Sequence, residues 1–159
     1  MDYCFSQARD RDMAEIMALY HSLMGTPGCT WNTEYPTEEI VAADIENGSL
    51  YVLRNESDRI IAVAAAGVSD ELEALSWGLN KPCDLARIGV SPEMQCQGVG
   101  TIILRNVVDA VKARGFDGIR MLVSKTNPAA LALYDKNRFQ RCGETHMYGF
   151  DFHCYQMVF

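Results

Sequence analysis

A chain of 159 residues, 48% apolar and 22% charged, suffices for one hydrophobic core and falls short of two, so residues 1–159 are read as a single domain. That composition excludes a disordered chain, and no period marks a collagen or a coiled coil. The net charge of −7 speaks against a nucleic-acid surface. The longest apolar run, Ile60 to Val68, is strand-sized and well short of the roughly 18 residues a membrane helix needs.

The first residues carry Asp2, Arg9 and Asp10 and lack the apolar stretch of a secretory signal, which implies a cytoplasmic protein without a membrane partner. Six cysteines (Cys4, Cys29, Cys83, Cys96, Cys142, Cys154) include no Cys-x-x-C pair and stand in no metal-ligand spacing with a histidine. They read as reduced, small apolar residues. His21, His146 and His153 form no ligand cluster either, so no metal is expected.

Tyr3 to Gln7 reads as a first strand. A helix follows in which Asp12 and Glu15 form a capping-box-like pair and Met13, Ile16, Met17 and Tyr20 make one face, with Gly25 as its stop. A loop through Pro27, Trp31 and Pro36 leads to Thr37, an N-cap with Glu38 and Glu39 in the favourable first turn. That second helix closes at Gly48. Leu50 to Arg54 and Arg59 to Val68 then read as a hairpin turning at Asn55 to Asp58. Residues 69–83 form an acidic link of ambiguous structure (Asp70, Glu71, Glu73) with Trp77, Gly78 and Pro82.

Asp84 to Ser91 reads as a strand ended by Pro92. Gly98 to Arg114 is the clearest helix, with Ile103, Leu104, Val107, Val108 and Val111 on one face and Gly115 beyond its end. Gly118 to Ser124 reads as a buried strand. Asn127 and Pro128 are an N-cap and a proline at the first helical position, opening a helix to about Asn137. The aromatic-rich stretch from Phe139 to Phe159 alternates like two strands. This order implies a mixed α/β sheet.

Charge is divided along the chain. Residues 1–96 carry a net −10, residues 97–141 a net +5 and the tail −2. A basic segment on an acidic protein suits a polyanionic ligand on one side and a cationic one on the other, although two unrelated solvated surfaces would give the same counts.

The most informative segment is Gln95-Cys96-Gln97-Gly98-Val99-Gly100, between a strand ended by proline and the clearest helix. Two glycines let the backbone approach a ligand closely, and the free N–H groups of a helix start attract an anion regardless of net charge. Neither standard phosphate motif fits. No G-x-x-x-x-G-K-[ST] occurs, and Ile103 stands where a dinucleotide fingerprint needs its third glycine.

Gln95-x-x-Gly98-x-Gly100 after Val90-Ser91-Pro92 resembles the pyrophosphate loop of the GNAT superfamily of acyl-CoA-dependent N-acyltransferases. About thirty residues on, Asn127-Pro128-Ala129-Ala130, then Leu133-Tyr134-Asp135-Lys136 and Phe139, are similar to that family's segment around its catalytic tyrosine. Arg138 departs from the pattern, which prefers glycine there, and Asn137 is expected to take the left-handed helix end instead.

The resemblance implies an α/β (α+β) fold: a mixed central sheet of about six to seven strands flanked by about four helices, with two splayed parallel strands. Acetyl-CoA, with no metal, would be the acyl donor, its pantetheine arm lying between the strands near Asp84 to Ser91 and Gly118 to Ser124. Gly89 is a candidate for the bulge that opens them. Ile88, Gly89 and Val90 would meet the arm, the Ile88 N–H polarising the thioester carbonyl. Gln95 and the amides of Cys96, Gln97, Gly98, Val99, Gly100 and Thr101 would hold the pyrophosphate, and Arg105, Lys125, Lys136 or Arg138 the 3′-phosphate. Asn127 would contact the pantetheine or order its loop, and Tyr134 would protonate the departing thiolate.

By the same resemblance, which puts a catalytic Glu on the strand corresponding to Asp84 to Ser91 in some protein-acetylating members, Asp84 is the candidate general base, with Glu71, Glu73, His146 and His153 as rivals. Trp31, Glu34 and Tyr35, with Tyr148, Phe150, Phe152 and Tyr155, would surround a cationic amine, about half of these aromatics being core. The activity implied is direct acetyl transfer to a small primary amine. Acetylation of a protein N-terminus or lysine, and a silent acyl-CoA sensor, are the alternatives. Dimers are common in similar proteins.

Overall fold

A computed structural model describes residues 2–69, 72 and 79–159. Most of the acidic link, including Asp70, Glu71, Glu73, Trp77 and Gly78, lies outside the described residues. The elements are β1 (Cys4–Gln7), α1 (Met13–Leu23), α2 (Glu38–Glu46), β2 (Leu50–Arg54), β3 (Ile60–Gly67), β4 (Pro82–Val90), α3 (Val99–Ala113), β5 (Gly118–Ser124), α4 (Pro128–Lys136), β6 (Gln140–Met147) and β7 (Phe150–Val158). The seven strands form one sheet in the order β1-β2-β3-β4-β5-β7-β6. Among the described residues β4 and β5 are its parallel pair, and the expected mixed sheet with four helices is present.

The longest apolar run explains the layering. β3 buries both of its faces because helices cover the sheet on both sides, so it needs no polar alternation. Ile61, Ala62, Ala64 and Ala66 join Ile103, Leu104, Val107 and Val111 of α3 in one core. Ile60, Val63 and Ala65 join Ile16, Met17, Leu19, Tyr20 and Leu23 of α1 in the other. The amphipathic stripe read on each helix is the face it lays on β3.

Two local expectations are corrected. Asp12 and Glu15 do not close a capping box on α1. The Asp12 carboxylate accepts the Arg9 N–H at 2.9 Å and pairs with Arg54, and Glu15 accepts the Ile60 N–H at 2.7 Å. Tertiary partners outcompete the local one because they anchor the helix start to β2 and β3. At the end of α4, Arg138 itself takes the left-handed conformation with φ +71°, while Asn137 stays at φ −102°. The Asn137 side chain donates to the Leu133 carbonyl at 2.7 Å, satisfying the helix end from a right-handed backbone and passing the reversal to the next residue.

All six cysteines are free. No cluster of three or more His, Cys, Asp and Glu capable of holding a metal is found among the described residues, nor any helix long and apolar enough to cross a membrane.

Candidate active site

The site begins where β4 and β5 part. They pair only at Pro82 with Gly118, Cys83 with Ile119 and Asp84 with Arg120. Beyond that fork β5 stays zipped to β7 as far as Ser124 opposite Phe152, while β4 turns away with β3, ending with Val90 opposite Ala62. A wedge-shaped gap opens between strands that a regular sheet would have joined.

A bulge in β4 accompanies the departure. Val63 and Ala65, two residues apart, face Gly89 and Ala86, three residues apart. The extra residue lies at Arg87–Ile88, and Arg87 has φ +50°, so the bulge falls just before Gly89. It also resets which way side chains point. Cys83 and Leu85 precede it on the α3 face, and Ile88 and Val90 follow it on that same face. Gly89 answers to packing instead, since a Cβ there would lie 2.7 Å from Leu23 Cδ1. The Ser91 N–H donates to the Ile61 carbonyl at 2.8 Å. Ladder parity therefore turns the Gly89 amide toward β3 and the Val90 amide toward the gap.

At the top of β4 the chain makes a 3₁₀ turn over Pro92–Met94 and enters α3 through two left-handed residues, Cys96 (φ +61°) and Gly98 (φ +82°). Gln95 Nε2 donates to the Val90 carbonyl at 3.1 Å and Gln97 Nε2 to the Glu93 carbonyl at 3.0 Å. These two side chains shape the loop from within. The first main-chain bond of the helix is Ile102 N–H to Gly98 O at 3.1 Å. The backbone N–H groups of Cys96 through Thr101 have no hydrogen-bond partner among the described residues. The Thr101 hydroxyl oxygen is likewise buried without a partner. Consecutive free amides at the positive end of a fifteen-residue helix form a cradle for an anion.

On the β5 side, Asn127 caps α4 by accepting the Ala130 N–H at 3.2 Å. Tyr134 follows within that helix, its residue only 2% exposed and its ring edge-on to Phe139 at 5.6 Å. Its hydroxyl has no hydrogen-bond partner among the described residues. Burial holds this phenol well above its ordinary pKa, so it carries its proton at neutral pH.

Residues 16–139 match the model of the acetyltransferase (GNAT) family. The chain belongs to the GNAT acetyltransferase family. Over 95 residues it is 30% identical to N-acetyltransferase family 8 member 3 of Mus musculus, covering 60% of this chain and 40% of that protein. The matched part thus spans about two fifths of this curated relative's length. In fold it resembles a ribosomal-protein-alanine N-acetyltransferase from Brucella melitensis, with a TM-score of 0.79, 18% identity and coverage of 98% of this chain and 99% of the other. It also resembles the N-acetylglutamate synthase of Neisseria gonorrhoeae, solved with coenzyme A and N-acetyl-glutamate, with a TM-score of 0.74, 18% identity and coverage of 99% and 35%.

Within this GNAT scaffold the remaining sequence candidates scatter. Asp84 is 7% exposed and bonds through both carboxylate oxygens to the buried Arg120 guanidinium, tying β4 to β5 at the fork. A carboxylate shared with an arginine in this way gains little by taking a proton from an amine, which weakens its case as a base. His146 and His153 sit on the terminal hairpin beside Asp151 and Glu144. Lys125 pairs with Glu144 at 3.0 Å, while Arg105, Lys136 and Arg138 are exposed.

The α1–α2 loop reaches across the gap. Trp31 lies edge-on to Tyr20 at 5.2 Å and beside Gly89, and Gly28 abuts Asn127, where a Cβ would come within 2.9 Å of the Asn127 Cα. Tyr35 accepts a hydrogen bond from Arg87 at 3.0 Å, and Glu34 is exposed. Tyr148, 65% exposed, lies on the β6–β7 turn. Phe152 and Tyr155 are core. Sequence reasoning missed Arg87 and its partners Tyr20 and Asp44. The available signal was an arginine between Ala86 and Ile88 that interrupts the otherwise apolar run from Leu85 to Val90.

Proposed function

We propose that this GNAT protein is an acetyl-CoA-dependent N-acetyltransferase that transfers an acetyl group directly to the primary amine of a small, cationic acceptor. The observation that carries this reading is the alignment of an unzipped β4–β5 gap with the unpartnered amides of Cys96 to Thr101. The two features together fit a narrow arm ending in a diphosphate. Acetyl-CoA would supply an acetyl group already activated as a thioester.

Each residue then has a task set by its surroundings. The amides of Cys96 to Thr101 bind the diphosphate, and Gln95 and Gln97 keep that loop in shape. The Val90 N–H and Asn127 line the gap. The Ile88 N–H donates to the carbonyl oxygen as it gains negative charge, a role worth most in a site that excludes water. Tyr134, protonated at neutral pH, gives its proton to the sulfur that leaves and is restored by the proton that the attacking amine gives up. Trp31, Glu34 and Tyr35 offer aromatic faces and a carboxylate to a cation. The loop carrying them crosses from Gly89 to Asn127, leaving a covered mouth that favours a small molecule over a polypeptide.

Calorimetry with acetyl-CoA, followed by thiol-release assays over a panel of small amines and peptides, tests the proposal. Binding in the micromolar to millimolar range is expected, with turnover on a small amine. Tyr134→Phe is expected to lower kcat by about a hundred-fold or more and to leave coenzyme A affinity unchanged. Absence of binding overturns the reading. Binding without turnover on any amine marks an acyl-CoA sensor, and turnover confined to peptides marks a protein acetyltransferase.

A further inference from the structure

The peptide joining Arg87 to Ile88 is gripped from two helices and a loop. Tyr20, fully buried in α1, donates its hydroxyl to the Arg87 carbonyl at 2.9 Å. The Arg87 guanidinium lies in a two-pronged bond on Asp44 of α2, Nε to Oδ2 at 2.9 Å and Nη2 to Oδ1 at 2.8 Å. Its remaining nitrogen, Nη1, donates to the Tyr35 hydroxyl at 3.0 Å in the α1–α2 loop. Arg87 sits at φ +50°, a backbone region a non-glycine residue keeps only when its surroundings over-determine it. The carbonyl and side chain of one strained residue thus both have assigned, mostly buried partners.

Peptide planarity converts that grip into an aim. In a trans peptide the C=O and the following N–H point in opposite directions. The Arg87 carbonyl points to α1, so the Ile88 N–H points away from α1, to the side of the sheet where α3 packs. The unpartnered amides at the start of α3 lie on that side. Were the peptide to rotate, Tyr20 would lose its acceptor inside the core and the Ile88 N–H would swing out of line. An unmade bond at a buried hydroxyl opposes such rotation.

We propose that Tyr20, Asp44 and Arg87 form a clamp that aims the Ile88 N–H at the acyl carbonyl, making Tyr20 and Asp44 positioning residues for acyl transfer. The inference rests on the acetyl-CoA reading above and adds a device to it. Neither residue touches the reacting atoms. Both act through the orientation of one peptide.

Isotope-edited infrared spectroscopy tests this without knowledge of the acceptor, using acetyl-CoA that carries carbon-13 at the acetyl carbonyl, bound to the intact protein. The bound carbonyl stretch is expected below that of free acetyl-CoA. Tyr20→Phe is expected to lose about half of that displacement or more, with coenzyme A affinity held within about two-fold. Asp44→Asn is expected to lose a smaller share and Tyr35→Phe the least. A displacement unchanged in both Tyr20→Phe and Asp44→Asn overturns the clamp, even where their melting temperatures fall, because a purely structural role moves stability alone. A wild-type protein that binds acetyl-CoA with no displacement overturns it too. Failure of the wild type to bind acetyl-CoA sinks the functional reading instead. Should Tyr20→Phe not fold, Asp44→Asn decides by the same readout.

Discussion

The two central strands are neighbours and parallel, and they are built on opposite plans. β5 is regular, paired to β7 at all seven residues from Gly118 to Ser124 without a register shift. β4 is irregular, paired to β5 at three residues, bulged at Arg87–Ile88 and braced from the α1–α2 side by Tyr20 and Asp44. The gap between them therefore comes from β4 bending away from a straight partner. A straight strand holds its place through ladder bonds alone. A bent one needs polar groups from another layer, which explains why hydroxyl, carboxylate and guanidinium groups gather behind β4.

The fork, where the two plans meet, offers the severest test. Asp84→Asn removes the carboxylate that bonds through both oxygens to the Arg120 guanidinium, in a residue 3% exposed, and is expected to cost about 3–5 kcal/mol in urea unfolding. If the variant instead keeps its stability and loses activity across the pH range, Asp84 is a proton acceptor and the fork is part of the chemistry.

A smaller effect belongs to the anchoring of α1, the helix that carries Tyr20. Burial by itself would raise the Asp12 carboxyl, but its bonds to the Arg9 N–H and to Arg54 outweigh that and hold it below its ordinary value. A carboxyl lowered in the folded state stabilises the protein above its unfolded pKa, and this contribution fades as pH falls through the folded value. Asp12→Asn is expected to lower stability by about 1.5–3 kcal/mol at pH 7. In chemical unfolding that deficit should shrink below about pH 4; a deficit constant down to low pH contradicts it.

The anion cradle above β4 comes next. Gly98 has φ +82° and open space around a would-be Cβ, so alanine there carries only backbone strain, about 1–2 kcal/mol. Coenzyme A binding by Gly98→Ala is expected to weaken about ten-fold in calorimetry. Unchanged affinity would mean that these amides do not grip the ligand. The smallest effect lies after α4, where Arg138→Gly relieves the left-handed arginine and is expected to raise stability by roughly 0.5–1 kcal/mol in thermal unfolding.

Wherever a signal was local, the order of residues carried it far. Gly118 to Ser124 is β5 to the residue, because a buried apolar run between Gly and a polar end has one sensible reading. Asn127-Pro128 opens α4 as read, and α3 runs within one residue at each end of the predicted Gly98 to Arg114 helix, since caps depend on a few adjacent residues. The free amides of the loop follow from that same spacing. The Asp12–Glu15 box misled because both side chains had a better partner elsewhere in the fold, and the Asn137 turn because its side chain reaches back to the Leu133 carbonyl from a right-handed backbone.

The amino-acid order alone determined most of the elements, the glycine loop that opens α3 and the place of Tyr134 within α4, because helix periods, caps and glycine conformations are written within a few residues of one another. Only the tertiary structure decided where β4 leaves β5, that Asp84 pairs with Arg120, and that Tyr20 and Asp44 hold the Arg87–Ile88 peptide. Those outcomes depend on groups 36, 43 and 67 residues apart in the chain, the first brought together by the pairing of β4 with β5 and the other two by how α1 and α2 pack on one face of the sheet.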